Sequence, residues 1–462
     1  MKKFLALMLC LVLALSFVAC ANTGNGENSD TESESVTDNS NNSSFDASVK
    51  SEGVMTYAEY MAAEKDAEVV IEAFVQAHQS WWDNKITVYA QDPDGAYFLY
   101  EMACSEDDAA KLTAGTKIKV TGYKGEWAGE IEIMDATFEF VESEKWIAPV
   151  TDVTSLLSNE TELVKHQNKF VSFKDLTVVS VNYKNGEPGD DIYVTVAQGD
   201  VEYSFCVEVY LTGPDTEVYK KVGTLVPGAK IDVEGFLYWY EGVNTHITDV
   251  TVSFDPTEKS EGVMTYADYM AAEKNDEVVI EAFVQAHQAW WDNKITVYAQ
   301  DPDGAYFLYE MACSEEDAAK LTAGTKIKVT GYKGEWAGEI EIMDATFEFV
   351  ESEKWVAEAF DATELLANEA ELVKHQNELV SFKDLEIVKI EYKNGEPGDD
   401  IYVTVKQGEA TYSFCVEIYL TGENTDVYKT VGTLNAGDKV DIEGFLYWYE
   451  GVNTHITAVT KK

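Results

Sequence analysis

The chain has 462 residues, of which 45% are hydrophobic and 12% aromatic, so it carries several packed cores and is excluded from the disordered class. Its 34 basic residues are all Lys, set against 84 Asp and Glu, for a net charge of −50. Without the planar Arg fork, and with a field that repels polyanions, nucleic acid is disfavoured as a partner.

At the N-terminus Lys2 and Lys3 precede an apolar run from Phe4 to Val18. That run is shorter than the ~20 residues that cross a bilayer, so it reads as an export signal. It ends in Phe17-Val18-Ala19-Cys20, which resembles the lipobox cleaved before a diacylated cysteine, with Phe where that pattern favours Leu. The resemblance implies a lipid on Cys20, residues 1–20 as the signal, and an extracytoplasmic protein held to the cell membrane. An ordinary signal peptide with an incidental Cys is the alternative. Residues 21–50 are rich in Asn, Ser, Thr, Glu and Asp and cannot bury enough surface to order themselves, which predicts a flexible tether.

The remainder is a duplication. Ser51-Glu52-Gly53-Val54-Met55-Thr56-Tyr57 recurs from Ser260 to Tyr266; His78 recurs as His287, Trp127 as Trp336 and His246 as His455, each 209 positions on. A constant offset leaves no insertion between the copies. Within each copy a fainter string repeats: Leu112-x-x-Gly115-x-Lys117-Ile118-x-Val120-x-Gly122 returns at Leu225 to Gly235, Leu321 to Gly331 and Leu434 to Gly444. The Leu closes a short helix, the first Gly caps it, and the alternating residues begin a half-buried strand. The last Gly permits a barrel strand to bend. Four such strings predict four modules, at 51–145, 146–255, 260–354 and 355–462.

In the first module the strands are expected at Val69 to Ala77, Ile86 to Ala90 and Tyr97 to Tyr100, with Asp92-Pro93-Asp94-Gly95 turning between the last two. A helix capped by Ser105 and ended by Gly115 precedes strands from Lys117 to Tyr123 and Glu130 to Ile133, the latter possible as far as Phe140. Thr56-Tyr57-Ala58-Glu59 has the form of a capping box for a short helix before the barrel. In the second module strands are expected at Phe170 to Val181, Asp191 to Val196, Val201 to Tyr210, Lys230 to Tyr240 and Thr245 to Val252, with a helix from Thr216 to Val222. Three strands, a helix and two strands resemble the OB-fold, a five-stranded Greek-key barrel. The fold class expected is mainly β: four tandem OB-like barrels with short helices, arranged as two duplicated pairs. As a whole the chain resembles the tandem OB-fold lipoproteins of Gram-positive gut anaerobes, which implies architecture and leaves activity open.

Residues with catalytic chemistry are sparse. Six His, three per copy, stand outside any metal-protease, hydrolase-elbow or phosphate-loop motif, so neither an enzyme nor a cofactor is expected. His246 lies in an alternating strand and reads as a hydrogen-bonded structural residue. Asp92-Pro93-Asp94-Gly95 and Glu187-Pro188-Gly189-Asp190-Asp191 read as hairpin turns rather than calcium loops, and no metal is expected. Cys104, Cys206, Cys313 and Cys415 fall one to a module; free thiols are favoured, with Cys104–Cys206 and Cys313–Cys415 the pairing if bridges form. OB-folds bind ligands at the loops after strands one and four. Here those loops carry Trp81, Trp82, Asp83 and Asn84, and then Trp127; the second copy has Trp290, Trp291, Asp292, Asn293 and Trp336. Tyr238-Trp239-Tyr240 holds a similar place in the second module. Indoles beside amide and carboxylate groups suit a glycan or a partner protein. Packing in the core or between modules is the competing use of the same Trp residues. The expected function is a membrane-anchored binding or scaffold lipoprotein; a nucleic-acid-binding OB array or an accessory subunit of an extracellular enzyme are the alternatives.

Overall fold

The computed structural model describes residues 45–462; the signal-like run, Cys20 and most of the acidic segment lie outside the described residues. Ala47–Lys462 forms one compact unit. The end of the expected tether is not loose. Lys50 Nζ sits 2.6 Å from Asp92 Oδ2, and Lys117 Nζ donates to the Val49 carbonyl at 2.6 Å, so residues 49 and 50 already belong to the first barrel.

That barrel is built from β1 (Glu68–His78), β2 (Lys85–Gln91), β3 (Ala96–Ala103), β4 (Lys117–Trp127) and β5 (Glu130–Phe140). The strands close in the order β1-β2-β3-β5-β4, with β3 and β5 parallel and the other pairs antiparallel. A short helix, α1 (Tyr57–Ala62), starts at the Thr56–Glu59 capping box and buries Tyr60 against Tyr97. A single turn, α2 (Glu106–Ala109), starts at Ser105, whose Oγ accepts from the Asp108 amide, and stops well before Gly115.

The second barrel repeats the plan with β6 (Thr151–Asp152), β7 (Phe170–Tyr183), β8 (Ile192–Gln198), β9 (Val201–Val207), β10 (Lys230–Phe236) and β11 (His246–Phe254). Pairing of β10 with β7 closes the five-stranded ring, and β6 adds a parallel edge outside it. The second copy reproduces both barrels, over Glu277–Phe349 and Leu379–Lys461. The protein is mainly β: four OB-like barrels in two duplicated pairs, each with its own apolar core. Gly122 and Gly235 belong to strands that cross a neighbour closely. A Cβ on Gly122 would lie 2.7 Å from Ile133 Cγ2, and the β4–β5 register shifts beside it, between Thr121 and Tyr123.

Three local expectations are corrected. The segment Lys124 to Gly129 is not a loop, because β4 continues to Trp127 and only Ala128 and Gly129 turn, both at positive φ. β9 stops at Val207, and Tyr210 lies instead in a one-turn helix, Val209–Thr212, capped by Glu208. Tyr238 to Tyr240 leaves the sheet after Phe236, held by an isolated bridge between Trp239 and Val243.

Within a pair the barrels share a packed junction. Tyr89 stacks on Phe236 at 4.3 Å, and its hydroxyl lies 2.9 Å from His246 Nδ1. Glu130 accepts from Asn168 Nδ2 at 2.6 Å and from the Trp239 amide at 2.9 Å. The second pair repeats the stacking, Tyr298 on Phe445 at 4.3 Å.

Candidate functional site

The β4–β5 hairpin overshoots its own barrel and leans on the next one. Its tip is seated by Gln167, which accepts from the Ile131 amide at 3.0 Å and donates to the Gly129 carbonyl at 2.9 Å. A Cβ at Gly129 would lie 2.8 Å from Trp239 Cδ1, so only glycine lets the tip rest there. In the second pair the equivalent overshoot carries Trp336 and Glu341 to a cleft between the two barrels.

In the second pair this cleft measures about 880 Å³. One wall comes from the odd barrel, with Tyr309, Trp336, Glu341 and Met343; the other comes from the even barrel, with Tyr402, Tyr447, Tyr449 and Asn453. Trp336 is 63% exposed, and Tyr309 and Tyr449 are also open to solvent. The charged groups differ in how far they are already engaged. Lys393 Nζ bonds Asp400 Oδ2 at 2.9 Å, and that bond pushes the ammonium up to about 12. Glu417 accepts from the Tyr419 amide at 3.1 Å and from Gln288 Nε2 at 3.2 Å. Burial pushes its counterpart Glu208 up to about 7. Glu341 is 7% exposed and has no hydrogen-bond or ion-pair partner among the described residues; burial holds it above the usual carboxylate range.

Every residue lining this cleft is identical in the first copy, 209 positions earlier. In the even modules that identity is selective, whereas the odd modules are nearly identical throughout. The even modules have diverged at Thr151/Phe360, Lys169/Glu378, Ser180/Lys389 and Pro227/Ala436, yet residues 183–196 and 235–248, which supply most of the even wall, are unchanged.

The structure divides the residues singled out in the sequence. Trp336 stands at the cleft, and Trp127 holds the equivalent position in the first copy. Trp82 and Trp291 are 54% and 56% exposed but lie on the β1–β2 turn, each beneath a lysine, Lys85 or Lys294. Trp81 and Trp290 are half-buried against the barrel core, and each indole N–H donates to a carbonyl, of Cys104 or Cys313, at 2.9 Å. Asp83 and Asn84 are the left-handed turn residues, as are Asp292 and Asn293. The latter two line a separate depression of about 490 Å³. The two Trp-bearing segments therefore do not meet in one cleft, and Tyr309 and Met343 line both hollows between them. Sequence reasoning missed Tyr100, Glu132, Tyr193 and Asn244. The signal for Tyr193 and Asn244 was the persistence of identical segments inside an otherwise drifting even module; Tyr100 and Glu132 lie in the odd module, which is nearly identical throughout and gave no such signal.

Other polar groups are structural. Asp92 Oδ1 accepts from the Asp94 and Gly95 amides and Oδ2 from Tyr97, so the turn is closed by its own carboxylate. Cys104, Cys206, Cys313 and Cys415 are buried free thiols. His246 is buried and stacked under Tyr238 at 4.4 Å, and burial lowers it to about 4; its counterpart His455 lines the cleft wall.

No protein-family model and no curated protein matches the chain. Among solved structures it is similar to a murine DNA-binding protein bound to double-stranded DNA, at 13% identity over 40% of this chain and 96% of that one, with a TM-score of 0.23. It is also similar to the HINb domain of p204, at 13% identity over 38% and 96%, TM-score 0.16. A third is a replication protein A heterotrimer bound to single-stranded DNA, at 8% identity over 63% and 93%, TM-score 0.17. Scores of this size carry no argument about what the chain binds.

Proposed function

We propose that this is an extracytoplasmic binding lipoprotein, anchored through Cys20, whose two inter-barrel clefts each take a carbohydrate. The observation that carries the reading is the aromatic, amide and carboxylate lining of the cleft, whose even-barrel wall is unchanged between the copies while the rest of the even module diverged. Exposed indole and phenol faces stack on sugar rings, and Asn453 and Glu417 offer hydrogen bonds to hydroxyls. Two equal sites on one chain raise a weak single-site affinity through avidity.

Three acids line the cleft, which raises hydrolysis as a second reading. Glycoside hydrolysis needs a pair of carboxylates free to exchange a proton or attack. Asp400 is engaged by Lys393 and the Ile418 amide, and Glu417 by Tyr419 and Gln288; the Glu341 side chain has no partner among the described residues. Binding without turnover is therefore favoured. Nucleic acid is disfavoured again, since the one lysine of the cleft is tied to a carboxylate.

The Cys20→Ala chain should leave the membrane fraction, and the parent should incorporate a lipid label; retention without label removes the anchor from the reading. On a glycan array the released chain should bind, and Trp127→Ala with Trp336→Ala should abolish binding at an unchanged melting temperature. A blank array would end the carbohydrate assignment, and shortened glycans after incubation would favour the hydrolytic one.

A further inference from the structure

We propose that each cleft is built for an amino sugar, with the carboxylate of Glu341, and of Glu132 in the first pair, seating the ligand's ammonium group. The proposal rests on the carbohydrate reading above and narrows it. Glu341 follows Glu339 by two positions on the strand Glu339–Phe349, and the two acids have opposite circumstances. Glu339 is sealed at the barrel junction, where the Trp448 amide donates to it at 2.8 Å. Glu341 is nine-tenths buried, lines the cleft, and is left without a hydrogen bond or ion pair among the described residues. A ligand that covers the cleft would strip water from this carboxylate, which is costly unless a cation or several donors compensate it.

No cation among the described residues bonds to it. Lys393 is held by Asp400, and Lys274, whose charge Glu341 feels, donates to the Glu335 carbonyl at 3.2 Å instead. Aromatic rings line the cleft with Glu341: Tyr309, Trp336 and Tyr447. The Glu341 charge adds to the upward push that burial gives the Tyr309 and Tyr447 hydroxyls, which places the three groups within electrostatic reach of one another. Ring faces attract an ammonium through their quadrupole, and a carboxylate behind them supplies the full countercharge. The net charge of −50 also concentrates cations at the surface and repels acidic sugars. A neutral hydroxyl would hydrogen-bond to Glu341 but leave its charge uncompensated. Glu132 in the first pair is equally buried, and its charge likewise reaches the Tyr100 and Tyr238 hydroxyls.

The test titrates the Cys20→Ala chain with three oligosaccharides of equal length: glucosamine, N-acetylglucosamine and glucose. Salt is kept high, since at 1 M the Debye length is about 3 Å and the general attraction of an acidic protein for a polycation is screened. The glucosamine oligomer should bind about tenfold tighter than either neutral one. Replacing both acids, Glu132→Gln with Glu341→Gln, should erase that preference, bringing the glucosamine oligomer to the affinity of the neutral ones, while the melting temperature holds. Equal affinities in the parent, or a preference that survives in the double variant, overturn the ammonium seat and leave the carbohydrate reading standing. If the double variant does not fold, the parent's discrimination between amine and N-acetyl decides alone. If none of the three binds and the array is blank as well, both proposals fall.

Discussion

Buried ionisable side chains at the barrel junctions tie the pairing of barrels to pH. Glu339 is fully enclosed, and burial pushes it up to about 8. In the unfolded chain the same carboxyl titrates near its ordinary value of about 4.3. Its contribution to stability is therefore intact below pH ~4.5 and lost as the pH rises toward 8, where folding traps an ionised carboxylate. The loss amounts to about 3–5 kcal/mol if the junction stays closed. Glu339→Gln should gain stability relative to the parent across that window, read as a melting-temperature difference that grows with pH; a difference that stays flat would show the carboxyl to be solvated. At this scale composition alone was a partial guide. Trp81 and Trp82 are adjacent and chemically the same, yet one packs on the core and the other meets solvent, because a tight turn sends successive side chains to opposite sides.

The β4–β5 hairpin is the element on which the candidate site depends. Alternation in Lys117-Ile118-Lys119-Val120 made the start of β4 legible, and the Gly after Ala128 marked a turn. The length of the overshoot was not legible, since Lys124-Gly125-Glu126-Trp127 has the composition of a loop and becomes strand by pairing with Glu130 to Ile133. Gly129 combines φ of 92° with contact against Trp239, so Gly129→Ala should cost about 1–3 kcal/mol and loosen the hairpin tip. Thermal unfolding checks the cost, and hydrogen exchange at the Ile131 amide checks the tip. Unchanged exchange would mean that Gln167, rather than glycine, fixes the hairpin.

Across the whole molecule the copies are joined by a contact that the duplication did not preserve. Trp355 is 8% exposed, its indole donating to the Pro227 carbonyl at 3.0 Å and lying over Gly228. Its counterpart Trp146 is only half-buried, and the loop Val226-Pro227-Gly228-Ala229 becomes Asn435-Ala436-Gly437-Asp438 in the second copy. The apolar version of the loop is the one that meets a tryptophan, so burial at the joint has selected its residues. Trp355→Ala should leave the barrels folded and let the copies move apart, seen as a larger radius of gyration in solution scattering. An unchanged scattering profile would place the stiffness of the joint elsewhere, in Phe254 packed edge-on to Phe283 at 6.2 Å.

The amino-acid sequence by itself determined the duplication, the four-module plan and most strand cores, because periodic burial and turn chemistry act over a few residues and repeat without a gap. Tertiary structure alone decided which acids and rings share a cleft. Glu341 and Tyr402 are far apart in the chain and belong to different barrels, and their meeting depends on how a hairpin tip seats against a neighbour. Such docking is set by long-range packing, which leaves no local period to read.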